Sequence, residues 1–499
     1  MPAHVGCRSF VLLAIAAVAV AACGGGSSSG GAAGGTLIPG ARGHSGSTPI
    51  QHVIVVIQEN RSFDNFFATY PGANGATSGQ AAPMPTPIQQ SCAKKGQPVV
   101  TKPTTVPLTK VNLVGDGFPP NNFGHDNDLD HHYGGYLTEL DNGNMDGFDL
   151  VKFGATGYGP QYECTYAYQY VDPNDIKPYW DIAKQYVLAD NMFDTQGSES
   201  FTGHQDLIAG GTVVNYQVST YGDDSIIDNP IGAFWPWGCD SPPGMTTSLI
   251  TTSGQYLQGA GPFPCFTYST IRDQLDANKI SWKYYTIASN QGAGIWSAFD
   301  AIKAVRGGPE WHANVTKNPN VIFKDIRNGK LPSVAWVTPD APNSDHPAEY
   351  KIVGRKQVPV DNGPSWVASV VNAIGRSTYW NSCAIIILWD DPGGFYDHVK
   401  PPFQDNQGGL GFRLPMLIVS PYVTAHVEHT QYETASVLKF IQDNWSLGTL
   451  PPSPDVRAAS IGNAFNFSQN PRKFRKIQSK YSEQYFLNQK PSGLPVDTE

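Results

Sequence analysis

Most residues able to do chemistry in this chain sit in polar clusters that directly follow apolar runs. Glu59-Asn60-Arg61-Ser62-Phe63-Asp64 follows residues 53–57, and Asp390-Asp391-Pro392-Gly393-Gly394 follows residues 384–389. The carboxylate and amide oxygens of Glu59 and Asn60 are hard donors that suit a divalent cation, although polar residues end many strands without one. Adjacent Asp390 and Asp391 repel each other, which a shared cation relieves; a solvated turn is the plainer alternative. Gly393-Gly394 lets the backbone turn sharply beside them. Ser198-Glu199-Ser200-Phe201-Thr202-Gly203-His204-Gln205 offers either a serine nucleophile, activated by a base or a metal, or a simple helix cap. Asp128-Leu129-Asp130-His131-His132 and Ser344-Asp345-His346-Pro347 supply histidines for metal or phosphate, or for a structural role.

Elements must hold these clusters in place. Residues 53–57, 334–337, 384–389 and 416–420 read as buried parallel strands, with 186–190 a weaker fifth. Open α/β sheets place ligands at the carboxyl ends of their strands, so chemistry is expected where these runs turn polar. Residues 434–445 show one apolar helical face, through Val437, Leu438, Ile441 and Trp445. The Pro- and Gly-rich stretches 70–125 and 215–265 read as long excursions from the sheet.

The 499-residue length gives a soft expectation of about three domains. With 52 Gly, 40 Pro and only 15% charged residues, a helical bundle or coiled coil is excluded. A net charge of −9 argues against a general nucleic-acid binder, so phosphate chemistry would need a metal or local cations. The basic run Arg472-Lys473-Phe474-Arg475-Lys476 reads as a solvated surface arm.

The N-terminus reads as an address. Arg8 precedes an apolar run over 10–22, too short to span a bilayer comfortably, which ends Val20-Ala21-Ala22-Cys23 before a Gly/Ser tract. This resembles the lipobox of bacterial lipoproteins, in which the cysteine is lipidated; an ordinary signal peptide is the alternative. Either way the chain is expected to be exported, anchored in the periplasm or at the cell surface, or secreted. Export permits disulfides. Cys239–Cys265 is the first expected pair, Cys92–Cys164 the second, and Cys383 reads as a buried free thiol. No Cys-x-x-Cys occurs, which argues against a thiolate zinc site.

Taken together, Glu-Asn-Arg-Ser-Phe-Asp at 59–64 and Trp-Asp-Asp-Pro-Gly-Gly-Phe-Tyr-Asp-His-Val at 389–399 carry a specific likeness. So do segments 190–210, 343–346, 361–373, 411–423 and 429–445. Over about 48–467, the chain resembles the bacterial phosphoesterase family of AcpA-type acid phosphatases and non-specific phospholipases C. The resemblance implies an alkaline-phosphatase-like α/β sandwich, its mostly parallel sheet flanked by helices and carrying long insertions. It implies one divalent ion (calcium, manganese or zinc) held by Glu59, Asn60, Asp390 and Asp391 together with Ser200. Ser200 is the implied nucleophile, passing through a phosphoserine; Ser198 is second choice, because Ser198 and Glu199 replace the family's small or Pro residues. His131 and His346 match phosphate-contacting histidines, a third is not placed, and Asp397-His398 matches a motif with a structural role.

The expected activity is therefore metal-dependent phosphoric ester hydrolysis, acid phosphatase first and phospholipase C second. A non-catalytic surface-binding lipoprotein is the alternative of another class, disfavoured because every acid, the amide and the serine are present. A sulfatase is disfavoured because neither Cys-x-Pro-x-Arg nor Ser-x-Pro-x-Arg occurs. Gly26-Ser27-Ser28-Ser29-Gly30 fits a serine-esterase pattern but lies in the tether, not between a strand and a helix. The expected partners are a phosphate ester and, through Cys23, a membrane, with no nucleic acid; oligomeric state is open. The expected parts are a signal segment 1–23, a tether 24–47, a catalytic domain 48–467 and a tail 468–499.

Overall fold

The computed structural model describes residues 47–113, 129–154, 162–214, 224–230, 236–287, 294–347, 352–353, 356–357, 362–407, 409–450 and 456–490. The expected signal segment with Cys23, nearly all of the tether, Asp128 and Asp361 lie outside the described residues.

Nine strands form the central sheet: β1 His52–Gln58, β2 Val187–Phe193, β3 Trp282–Tyr285, β4 Val315–Thr316, β5 Val334–Val337, β6 Cys383–Trp389, β7 Arg413–Val419, β8 His426–Glu428 and β9 Tyr432–Glu433. They are ordered β4-β3-β5-β1-β6-β7-β2-β8, with β9 also pairing with β2. Val53 through Ile57 of β1 and every residue of β6 are buried, so both faces of the sheet centre are covered. The helices that bear on the site are α1 Tyr133–Leu140, α2 Lys177–Gln185, α3 Ser200–Ala209, α4 Gly363–Gly375 and α5 Ala435–Trp445. All described residues belong to one compact unit, in place of the three domains that length alone would give.

One strand runs the other way. The run 416–420, expected to be parallel, belongs to β7, which is antiparallel to both β6 and β2. An apolar run reports burial, and burial carries no direction. The connection 390–412 carries no described helix, and a return without a crossover helix makes an antiparallel neighbour. Pro421-Tyr422 therefore leaves the sheet at the end opposite Glu59 and Asp390, while Arg413, the first residue of β7, stands at the polar end.

The loop-rich excursions build a second core. Val213–Val214, Ser225–Pro230, Thr247–Ile250 and Tyr256–Leu257 form a four-stranded antiparallel sheet, and Ser78–Ala81 pairs with Thr104–Pro107. Phe148, Tyr168, Tyr396 and Phe412 cluster there around Cys92 and Cys164. Cys92–Cys164 and Cys239–Cys265 are disulfides, and Cys383 is a buried free thiol, as expected from the sequence. Among the described residues no helix is long and apolar enough to cross a membrane. The basic arm is only half solvated: Lys473, Arg475 and Lys476 are exposed, whereas Ile477 is buried.

Candidate active site

Parallel strands β1 and β6 lie side by side in register, Gln58 opposite Trp389, so Glu59 and Asp390 leave the sheet together. The Asn60 N–H donates to Asp390 Oδ1 at 3.0 Å, and the Arg61 N–H to the Asp391 carbonyl at 3.0 Å. Asn60 has φ 57°, a left-handed conformation that Asn tolerates better than most residues. Gly393 (φ 59°) makes this close approach possible, since a Cβ there would lie 2.5 Å from the Asn60 carbonyl oxygen. Its N–H donates to Asp391 Oδ1 at 2.6 Å.

Strand β2, parallel to β6 across the reversed β7, delivers the serine segment to the same end. Ser200 is the first residue of α3, and its hydroxyl donates to Asp391 Oδ2 at 2.9 Å. Ser198, two residues earlier, donates instead to Asp228 Oδ1, and the Asn229 amide is tied to Glu199. Of the two candidate serines, Ser200 is thus the one hydrogen-bonded to the carboxylate group. Glu59, Asn60, Ser200, Asp390 and Asp391 are all wholly buried.

His131 arrives from the segment before α1. Its Nδ1 is 2.7 Å from the Leu129 carbonyl, which makes Nδ1 the protonated nitrogen. Nε2 then accepts from the Asn60 amide at 3.3 Å and lies 4.0 Å from Asp391 Oδ2. His346 is buried beside Trp296, their rings 5.7 Å apart. Its loop reaches the site through the Ser344 carbonyl, which accepts from the Glu59 N–H at 2.8 Å.

One histidine at the site, His204 of the serine segment, has no role assigned to it by the sequence alone. His204 Nε2 lies 3.0 Å from Glu59 Oε1 and 3.6 Å from Asp390 Oδ2. It stands four residues after Ser200 on α3, the spacing that puts two side chains on one helix face. That spacing was the available signal. Gly203 lets α3 pack this closely: a Cβ there would lie 2.4 Å from the Asp390 carbonyl oxygen.

These groups fit a divalent cation. Asn60 Oδ1 and Asp390 Oδ2 are buried without a hydrogen-bond partner. The His131 contact turns the Asn60 amide so that its oxygen is the atom left over. Burial, and then the charge of Asp391, raises Asp390 to about 7, while burial lowers His204 to about 3. Glu59, His204 and Asp390 offer donor atoms within 4.8 Å of one another. Oxygen-rich donors with one imidazole exclude no hard or borderline divalent ion.

Asp397 and His398 belong elsewhere. Arg413 donates to Asp397 Oδ2 at 3.1 Å and to Asp64 Oδ1 at 3.2 Å, and His398 Nδ1 lies 2.6 Å from Asp64 Oδ2. A guanidinium already balances this second acidic group, and its ring contacts with Phe63 close it off.

The fold and site thus define a class: an α/β sheet with a carboxylate-rich cation cradle at its strand ends and a serine at the head of an adjacent helix. The family model for the Phosphoesterase family matches residues 50–448, and the chain belongs to that family as a phosphoric ester hydrolase. Phospholipase C A of Mycobacterium tuberculosis is 26% identical over 473 residues, which cover 86% of this chain and 79% of that protein. Non-hemolytic phospholipase C of Pseudomonas aeruginosa is 25% identical over 511 residues, 92% of this chain but 63% of its own length. Among solved structures, a Vibrio parahaemolyticus protein of the alkaline phosphatase superfamily aligns over 55% of this chain and 60% of its own, at 11% identity and a TM-score of 0.31. That superposition is too loose to bear on the fold, which rests on the strand order above.

Proposed function

We propose that this chain hydrolyses phosphomonoesters in the manner of an acid phosphatase, with Ser200 as nucleophile and one divalent ion. The observation that carries this reading is the Ser200–Asp391 hydrogen bond of 2.9 Å within a group of three carboxylates and an amide. Glu59, Asn60, Asp390 and Asp391 would hold the ion, which supplies the positive charge that favours a serine alkoxide over the hydroxyl. Ser200 loses its proton along the hydrogen bond to Asp391 Oδ2. Its Oγ attacks phosphorus opposite the leaving oxygen, so that the Oγ–P bond forms as the bond to the leaving group breaks. His131 and His346 would hold phosphoryl oxygens and return a proton to the leaving oxygen. Water then cleaves the phosphoserine. For His131 this requires Nε2 to be protonated and to give up the Asn60 amide it accepts from in the free site, so turnover is expected to peak on the acid side, at about pH 5–6.

A second reading, phospholipase C, is favoured by the names of both relatives above. Turnover of nitrophenyl phosphate and of nitrophenylphosphorylcholine, with and without chelator, separates the two. In either case Ser200→Ala should cut turnover by at least about 1,000-fold, while Ser198→Ala should retain most of it. Near-wild-type activity of Ser200→Ala would sink the assignment. Export with lipidation at Cys23 is part of the proposal, supported by two disulfides that oxidising compartments allow. Mass spectrometry of the membrane fraction tests it.

A further inference from the structure

The end of the sheet opposite the carboxylates carries a strip of positive charge that the chemistry does not use. Residues 472–477 cross that end. The Arg472 N–H donates to the Pro421 carbonyl at 3.0 Å, and its guanidinium to the carbonyls of Gln185 and Val423 at 3.0 and 2.7 Å. Gln185 lies just before β2 and Pro421 just after the reversed β7, so both mark this end. Trp380, just ahead of β6, donates from Nε1 to the Arg472 carbonyl at 2.7 Å and meets the Phe474 ring edge-on at 5.1 Å. Ile477 is fully buried, and its backbone N–H and carbonyl both bond to the Asn372 amide.

With Phe474 and Ile477 turned inward, Lys473, Arg475 and Lys476 face outward and are exposed. Arg376, exposed just after α4, lines one open groove with Lys476. Glu483 shares that groove but is already engaged by Arg327. Among the described residues, Arg376, Lys473, Arg475 and Lys476 have no ion-pair partner. A chain of net charge −9 thus gathers at one end four cations that have no ion-pair partner among the described residues.

The chain also enters the fold at this end. The Ser47 N–H donates to the Asn444 carbonyl at 2.8 Å, and the Gln51 N–H to the Ser382 carbonyl at 2.8 Å. The His52 ring meets Tyr379, the neighbour of Trp380, at 4.6 Å. Residue 47, the first of the described chain, therefore lies at the same end as the strip.

We propose that this strip docks onto an anionic phospholipid headgroup layer, holding the active site on the side facing away from that membrane. Charge and placement select the occupant. Solvated Lys and Arg side chains on an extended segment need no shaped pocket to meet headgroup phosphates. Only the placement argument leans on lipidation at Cys23; the charge argument does not.

The test is vesicle co-flotation at low salt, with the full chain and the triple variant Lys473→Ser, Arg475→Ser, Lys476→Ser. The wild type should prefer phosphatidylcholine vesicles containing phosphatidylglycerol over phosphatidylcholine alone. Each basic residue near such a surface contributes about fivefold, so the variant should lose on the order of 100-fold of that preference. High salt should weaken the wild type in the same direction. Nitrophenyl phosphate turnover should be equal in the two proteins, which reports an intact fold; vesicle binding remains readable even if the active-site reading fails. Equal wild-type binding to both vesicles, or an undiminished preference in the variant, overturns the proposal. Strip-dependent retention on double-stranded DNA without any vesicle preference overturns it too, in favour of a soluble polyanion.

Discussion

Asn60 and His131 together decide where a cation could sit. Because Nδ1 of His131 is committed to the Leu129 carbonyl, Nε2 must accept, and it takes the Asn60 amide N–H₂ rather than the oxygen. His204 plays the matching part for Glu59, its Nε2 lying 3.0 Å from Glu59 Oε1 and 3.6 Å from Asp390 Oδ2. Groups that orient ligands in this way typically account for 10–100-fold in metal affinity. His204→Ala is therefore expected to raise the divalent-ion concentration giving half-maximal activity by about that factor, and to leave the activity at saturating ion much less affected. An equal loss at saturating ion would instead make His204 part of the chemistry. Asp390 gives the pH dependence of ion binding. Its carboxyl is raised to about 7 by burial and Asp391, so below that pH an incoming ion must displace a proton. Ion affinity should fall about tenfold per pH unit below 7 through this group, measurable by calorimetric titration at pH 8 and pH 5. A pH-independent affinity would mean that Asp390 stays ionised without the ion.

Two acidic groups of similar composition lie at the same end of the sheet, and the elements make them different. Asp64, Asp397 and His398 surround Arg413, the first residue of β7, whereas Glu59, Asp390 and Asp391 surround unpartnered amide and carboxylate oxygens. Reversal of β7 is what puts a guanidinium at this end. Arg413 and both its carboxylate partners are wholly buried, and removing one side of such a group costs about 3–5 kcal/mol. Arg413→Met should therefore lower the urea midpoint sharply, while a variant with Asp64 and Asp397 also made Asn should recover much of the loss. If the single variant unfolds at the wild-type midpoint, Arg413 is not the clasp. The same comparison explains what could be read in advance. Residues 53–57, 334–337 and 384–389 are apolar without interruption because both sheet faces are covered, and each run is a strand. The acids at their ends were legible for that reason. The direction of β7 and the Arg413 clasp were not, because they depend on partners at 64, 397 and 413 that no local pattern links. His204 is legible only through its spacing of four from Ser200, which places both on one face of a helix.

At the scale of the molecule, the polar end of the sheet faces one way, and the chain's point of entry and the basic strip lie at the other. The fold also buries carboxyl groups that are not part of the cradle. Burial raises Asp149 to about 7, Asp300 to about 8 and Asp397 to about 6, in Asp397 against the opposing pull of Arg413. An unfolded aspartate titrates near 3.8, so between about pH 4 and pH 8 the folded chain binds more protons than the unfolded chain. Stability from these groups is complete below about pH 4 and is lost as pH rises through 6 to 8. The metal-free protein should therefore melt several degrees higher at pH 5 than at pH 8, when scanned with chelator to keep Asp390 free of ions. Asp300→Asn removes the group with the highest of the three pKa values and should flatten the upper part of that dependence without touching the site. A melting temperature that rises from pH 5 to pH 8 would show that salt-bridged carboxylates, not these buried acids, dominate. The expected slope has the same sign as the acid optimum proposed for the histidines. A bound ion holds Asp390 ionised and so takes its share out of the slope, and the melting temperature gained on adding the ion should be larger at pH 8 than at pH 5.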